Sequence, residues 1–193
     1  MALRRARWPI VASAATYLGF LVLGIALASA GWTFAVSQRD AIVNGAHSSS
    51  ITLANGRGDH LTAALLDFGS NAVLGAVPTS ITGLTVIGPF PIAAYRGWVG
   101  GVVSIDSHHA SRLANPSSAV YYLVTVALQL TGFILTMAAG VHVGWHAWKA
   151  RRDPSVRAVL GFRVPSFALR DAAYLYAVAM PVFLAGSLYE FLA

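Results

Sequence analysis

The chain has 193 residues, of which 56% are hydrophobic and only 10% charged, with a formal net charge of +6 and no cysteine. A soluble domain carries about 25% charged residues, so the composition excludes an ordinary soluble fold and describes an integral membrane protein of roughly four to six helical spans. The missing cysteines exclude a disulfide framework and a thiolate metal site, and the positive charge reads as membrane topology, with no nucleic-acid partner.

The first apolar run, from Pro9 to about Val36, follows Arg4, Arg5 and Arg7 and has Trp8 and Trp32 near its ends, where amphipathic rings favour the interface. Ala28-Ser29-Ala30 resembles a signal-peptidase site, but Pro9–Ala30 is longer than a usual signal core, so an uncleaved first span is expected. The segment from Ser37 to His60 is rich in Ser, Asn, Gly and charge and reads as a loop outside the bilayer. A second apolar stretch covers Leu61–Ile87, and Gly88-Pro89-Phe90-Pro91 reads as a tight turn. A third piece, Ile92–Ile105, has 14 residues, short of the roughly 20 that cross comfortably. A polar stretch to Ser118 holds His108 and His109, both expected in solvent. The span 119–148 ends in a basic loop, and the last span is 167–192.

Charge orients these pieces. Arg4, Arg5 and Arg7 place the N-terminus in the cytoplasm, and Lys149, Arg151, Arg152, Arg157, Arg163 and Arg170 belong on the same side. The region 61–105 then adds two crossings or none, as a full or a re-entrant hairpin. With two crossings Arg96 joins the inner set and only Arg39, Arg57 and Arg112 remain outside. The expectation is an all-α polytopic bundle in one domain, about five spans with a short or re-entrant glycine-rich third segment, in the inner or plasma membrane.

Small residues let helix backbones approach closely. Gly97, Gly100 and Gly101 make the third segment a packing helix, with its tightest contact expected inside the 61–105 hairpin, and Gly140 and Gly144 form a second such pair. Asp67 and Asn71 share a helix face four residues apart in an apolar stretch, where a charge usually faces the bundle interior. Arg96 matches Asp67 by charge, although a full hairpin would separate them. His142 and His146 have a spacing that suits a metal or haem, or simple interfacial polarity beside Trp145 and Trp148. Asp171 and Glu190 lie near opposite ends of the last span, and the neighbouring Arg170 offers Asp171 a local ion pair. No motif indicates an enzyme, and no cofactor or metal is assigned.

The run Gln129–Trp145, with Gly140 in its small-residue stretch, resembles the late span of the stage II sporulation protein M family. There a Pro-His-Gly stretch leads into a Glu; here those positions hold Val124, Thr125 and Gln129. Phe68, Asn71 and Gly75 resemble the family's Phe/Asn-bearing span, and Tyr95-Arg96-Gly97-x-x-Gly100 its Asn-Gly-x-x-Gly, with Arg96 in place of Asn. The resemblance covers about 61–148 and implies a small polytopic membrane protein that works with protein partners. A non-catalytic membrane subunit or scaffold that anchors or assembles partner proteins in a bacterial-type membrane complex, with other membrane subunits or further copies of itself as partners, is the first functional expectation. The alternatives are a small permease or channel component using Asp67, Asn71, Arg96, Gln129 and the 88–104 segment, and a haem- or pigment-binding accessory subunit using His142 or His146.

Overall fold

The computed structural model describes residues 1–108, 110–111, 116–156, 158–159 and 162–192; the expectations for His109, Arg112 and Arg157 lie outside them. The fold is an all-α bundle of membrane type. Four helices are long and apolar enough to cross a bilayer, within Arg7–Ser29, His60–Gly83, Ala119–Ala150 and Ser166–Leu192. In chain order the helices are α1 (Ala2–Arg5), α2 (Arg7–Ser29), α3 (Thr33–His47), α4 (Ser50–Gly56), α5 (His60–Gly69), α6 (Val77–Gly83), α7 (Pro89–Val103), α8 (Pro116–Ala150) and α9 (Ser166–Leu192). A π-helical stretch, Ser70–Ala76, joins α5 to α6. Between α8 and α9, β1 (Ala158–Val159) and β2 (Phe162–Arg163) pair antiparallel. The short third segment is α7, whose 15 residues rise about 22 Å.

The bundle is apolar on its outside. Val11, Val22, Val73, Ile81 and Val120 are all exposed, and Leu74 reaches 73%. Water would not tolerate so continuous an apolar surface, whereas a bilayer requires one around helices that satisfy their own backbone hydrogen bonds.

The first span ends earlier than expected, at Ser29 instead of Val36. Gly31 takes φ +71, the Trp32 amide donates to the Leu27 carbonyl at 3.0 Å, and the Gly31 amide to Ala28 at 3.1 Å. This is the Schellman stop, and it turns the chain into α3. The 37–60 segment is largely helical, not a loop. Ala35 in α3 packs with Ala28, Val102 and Ile105, and buried Arg39 donates to the Asp106 carbonyl. Ser49 caps α4 through the Thr52 amide. Gly58, at φ +80, ends that helix, and Asp59 caps α5. A polar composition concealed surface helices held by only a few inward contacts. The π-helical stretch has a local cause: Pro78 has no N–H, and its ring crowds the carbonyl four residues back, at Leu74.

Two crossings of small residues organise the bundle. A Cβ on Gly97 would press on the Tyr17 carbonyl, and one on Gly24 would meet the Trp98 carbonyl at 2.7 Å and the Gly101 Cα at 3.0 Å. These contacts seat α7 on α2. A Cβ on Gly83 would meet the Gly140 Cα at 2.7 Å, and one on Gly144 would meet the Leu84 carbonyl at 2.7 Å, which seats α6 on α8. Ser80 Oγ adds a hydrogen bond of 2.6 Å to the Thr136 carbonyl. The expectation that the hairpin packs most tightly on itself is therefore corrected. Each of its arms finds a glycine-bearing partner elsewhere, because only small residues facing small residues bring backbones this close. Gly100 stands apart from both crossings: a Cβ there would meet Leu21 Cδ1 at 3.8 Å.

Helix α8 is central, with 56% of its most apolar window buried against 17–28% in the other three. Antiparallel α9 inserts Phe183 into the notch at Gly132, edge-on to Phe133 with centroids 4.8 Å apart. Arg4, Arg5, Arg7, Lys149, Arg151, Arg152, Arg163 and Arg170 gather at one end of the bundle, and Arg39 and Arg57 lie at the far end.

Candidate functional site

Helix α7 leans on α2, while α8 packs on α6 and α9, so α7 and α8 are left apart in the far half of the bundle. The space between them is a cavity of about 710 Å³. Its polar lining includes Tyr17, Asn71, Arg96, Thr125, Gln129 and Glu190. At the far end Tyr122 reaches across from α8 to α7, its hydroxyl 2.7 Å from Ser104 Oγ and 3.4 Å from the Gly100 carbonyl.

One side of the cavity is acidic. Asn71 Nδ2 and Ser187 Oγ both donate to Asp67 Oδ2, at 3.0 and 2.7 Å. Three residues after Ser187, Glu190 Oε2 accepts from Gln129 Nε2 at 2.5 Å. The Tyr121 hydroxyl donates to the Glu190 backbone carbonyl, and its ring stacks on Tyr189 at 5.5 Å. The π-helical stretch begins just before Asn71 and shifts that side chain's position relative to a regular helix, a common use of such widened turns. Asp67 and Asn71 of one span and Gln129 of another thus come together through Ser187 and Glu190 of α9. Ser187 was not singled out from sequence, and Glu190 was noted only for its place near one end of the last span. A signal existed for the second: Glu190 is the chain's only glutamate and sits in an apolar span.

The other side is basic. The Arg96 guanidinium stacks over the Phe133 ring at 4.3 Å and lies against Gly75, where a Cβ would meet Nη2 at 3.0 Å. It forms no ion pair with any described carboxylate, so the match with Asp67 by charge is not realised as contact. Tyr17 stacks on the same ring at 6.3 Å. Its hydroxyl is buried with no hydrogen-bond partner among the described residues, a condition that costs about 1–3 kcal/mol unless something bonds it. Sequence offered no sign of Tyr17, a single tyrosine in an apolar helix.

His142 and His146 do not reach this cavity. They belong to a separate node at the basic end. Arg5 forks onto Asp171 with Nε–Oδ2 and Nη2–Oδ1 distances of 2.6 Å each, and His142 Nε2 lies 3.5 Å from Asp171 Oδ2. The His146 ring meets His142 at 4.6 Å and Phe167 at 4.9 Å. The local Arg170–Asp171 pair expected from sequence is replaced by this long-range one, because Asp171 faces inward, 2% exposed, where Arg5 of α1 reaches it beside His142. Among the described residues no group of three His, Cys, Asp or Glu is placed to hold a metal. The node ties α1 to α8 and α9.

Beyond α7, His108 is exposed, as expected. Its amide and that of Ala110 donate to Asp106 Oδ1 at 2.8 and 2.9 Å. The Ala110 amide first, then the His108 amide and the charges of His108 and Arg39, hold the Asp106 carboxyl below its ordinary value. A carboxyl with a lowered folded-state pKa stabilises at pH above its unfolded value and loses that contribution as pH falls through the lowered one. The turn at Asp106 is therefore expected to hold at neutral pH and loosen below about pH 4. Amide exchange at His108 and Ala110 reads this directly, and in Asp106→Asn the acid step should vanish.

No protein-family profile, no curated protein and no solved structure matches this chain.

Proposed function

We propose that this protein is a non-catalytic, multi-pass membrane protein that binds a small polar solute between its helices, acting as a small permease or channel component. The observation that carries the reading is the cavity between α7 and α8. Its 710 Å³ fall within the roughly 300–1,000 Å³ of small-molecule sites, and both acidic and basic side chains border it. Ionisable groups inside a membrane are expensive, and they mark substrate or ion pathways.

The partner-anchoring reading drew on the glycines as docking faces. Gly97, Gly101, Gly140 and Gly144 are all occupied by the chain's own helices, so they leave no free face of that kind. Polar positions compared above with the stage II sporulation protein M family fall at the cavity. Four positions compared with that family's polar sites, Asn71, Arg96, Thr125 and Gln129, all line it. The distribution of Arg and Lys supports a cytoplasmic N-terminus in an inner or plasma membrane.

The chain's lack of cysteine allows a direct test. Val126 lines the cavity, whereas Leu123, one turn away on α8, is 53% exposed on the outside of the bundle. In proteoliposomes a water-soluble, membrane-impermeant thiol reagent is expected to modify Val126→Cys and to spare Leu123→Cys. Equal inertness of the two would remove the solute-binding reading.

A further inference from the structure

Resting on that reading, we propose that the chamber's ligand is a small zwitterion, with its anionic group at Arg96 and Tyr17 and its cationic group at Glu190. Three features of the chamber carry this. The first is Arg96 itself. It is level with Tyr17, near the middle of α2, so each face of a roughly 30 Å hydrocarbon core lies about 15 Å away. A guanidinium cannot snorkel that far. It lies over an aromatic face, which compensates only part of the lost hydration, and no described carboxylate pairs with it. It therefore calls for an anion.

The second is the Tyr17 hydroxyl. It is buried, without a partner among the described residues and against the same Phe133 ring, and Tyr17 lines the same cavity. A hydroxyl and a guanidinium at one place supply O–H and N–H donors that a carboxylate or similar oxyanion accepts in pairs. The third is the opposite wall. Among the described residues Glu190, which lines the cavity, has one side-chain donor on its carboxylate, Gln129, and Asp67 stands behind it with its own partners. A carboxylate accepts several hydrogen bonds, so Glu190 has acceptor capacity left for an ammonium.

The spacing makes these two halves of one site. Arg96 lies over Phe133 and Glu190 binds Gln129. These two α8 residues are one turn apart, about 6 Å along the axis. A simple anion would satisfy Arg96 and be repelled by Glu190. A simple cation would suffer the reverse. A phospholipid carries its phosphate at the interface, not at this depth. A small molecule with both charges neutralises both walls, and in a low-dielectric site complementary charge decides selectivity.

The test uses the full-length protein purified in detergent and a ruler of probes: ω-amino acids from glycine to 6-aminohexanoate, with the carboxylate and the amine of matching length. The readout is protection of Val126→Cys against the thiol reagent. One length of ω-amino acid is expected to protect, at concentrations about tenfold or more below those needed by its matched carboxylate or amine, since each lost charged hydrogen bond weakens binding by about that factor or more. Arg96→Gln should abolish protection by the zwitterion. Glu190→Gln should erase the preference for it over the matched carboxylate. Melting curves of the two variants keep folding separate from binding, and the melt of the unaltered chain with each probe repeats the ranking without them. Equal protection by the carboxylates, or none by any ω-amino acid while Val126→Cys still reacts, overturns the zwitterion and leaves the solute chamber standing. Failure of Val126→Cys to react overturns both.

Discussion

Leucine in place of Gly140 is expected to destroy the α6–α8 crossing and with it the folded protein. A Cβ at this position would lie 2.7 Å from the Ser80 Cα and 2.9 Å from the Ser80 carbonyl carbon. These are backbone atoms, so no rotamer change relieves the clash, and the helices must separate. Overpacking of cores costs about 1–3 kcal/mol where side chains can yield, and here the cost should reach the top of that range or exceed it. The hydrogen bond from Ser80 to the Thr136 carbonyl would be lost in the same movement. Thermal melting in detergent and the monodispersity of the preparation measure it. Gly100→Ala is the control, with only Leu21 Cδ1 near, at 3.8 Å, and should melt as the parent does. A well-folded Gly140→Leu protein that merely lost a binding partner would instead return Gly140 to the role of a docking face.

Removing the ring of Phe183 should be almost as damaging. The side chain is 0% exposed and fills the notch at Gly132, whose Cβ would lie 2.6 Å from Cδ1 and Cε1 of the ring. Phe→Ala at a packed site costs about 3–5 kcal/mol, and a lowered melting temperature of Phe183→Ala would report it. The two positions share one volume, so they should couple. Gly132→Leu alone should overpack, and combined with Phe183→Ala it should recover part of the loss, a non-additivity expected of residues in contact. Strict additivity would mean that α8 and α9 do not interlock at this point. Because Phe183 also backs Phe133, on which Arg96 rests, Phe183→Ala is further expected to weaken solute binding even in the folded fraction.

How far these contacts were legible differs from residue to residue. Asp67 and Asn71 were readable as a pair, since four residues on a helix put side chains on one face, and they do hydrogen-bond. The small-residue spacing of Gly97 with Gly101, and of Gly140 with Gly144, was readable as close packing. Which helices they would meet was not. Gly24, which faces Gly101, and Ser80 and Gly83, which face Gly140, stand far away in the chain with no pattern that assigns them. Asp171 illustrates the same limit: its neighbour Arg170 was the local candidate, and Arg5, 166 residues away, is the partner.

What the sequence by itself determined is the class of molecule. Apolar runs of bilayer length, the clustering of Arg and Lys beside alternate runs, and one short glycine-rich segment specify an all-α membrane bundle, because local composition alone decides whether a segment dissolves in lipid or in water. What only the tertiary structure decided is which faces turn inward, and so the chamber itself, with Arg96 and Tyr17 on one wall and Glu190, Gln129 and Asn71 on the other. In water an apolar stripe marks the buried face of a helix. In a bilayer the outward face is apolar too, so that contrast is absent, and the choice passes to steric fit between small residues and their partners on other helices.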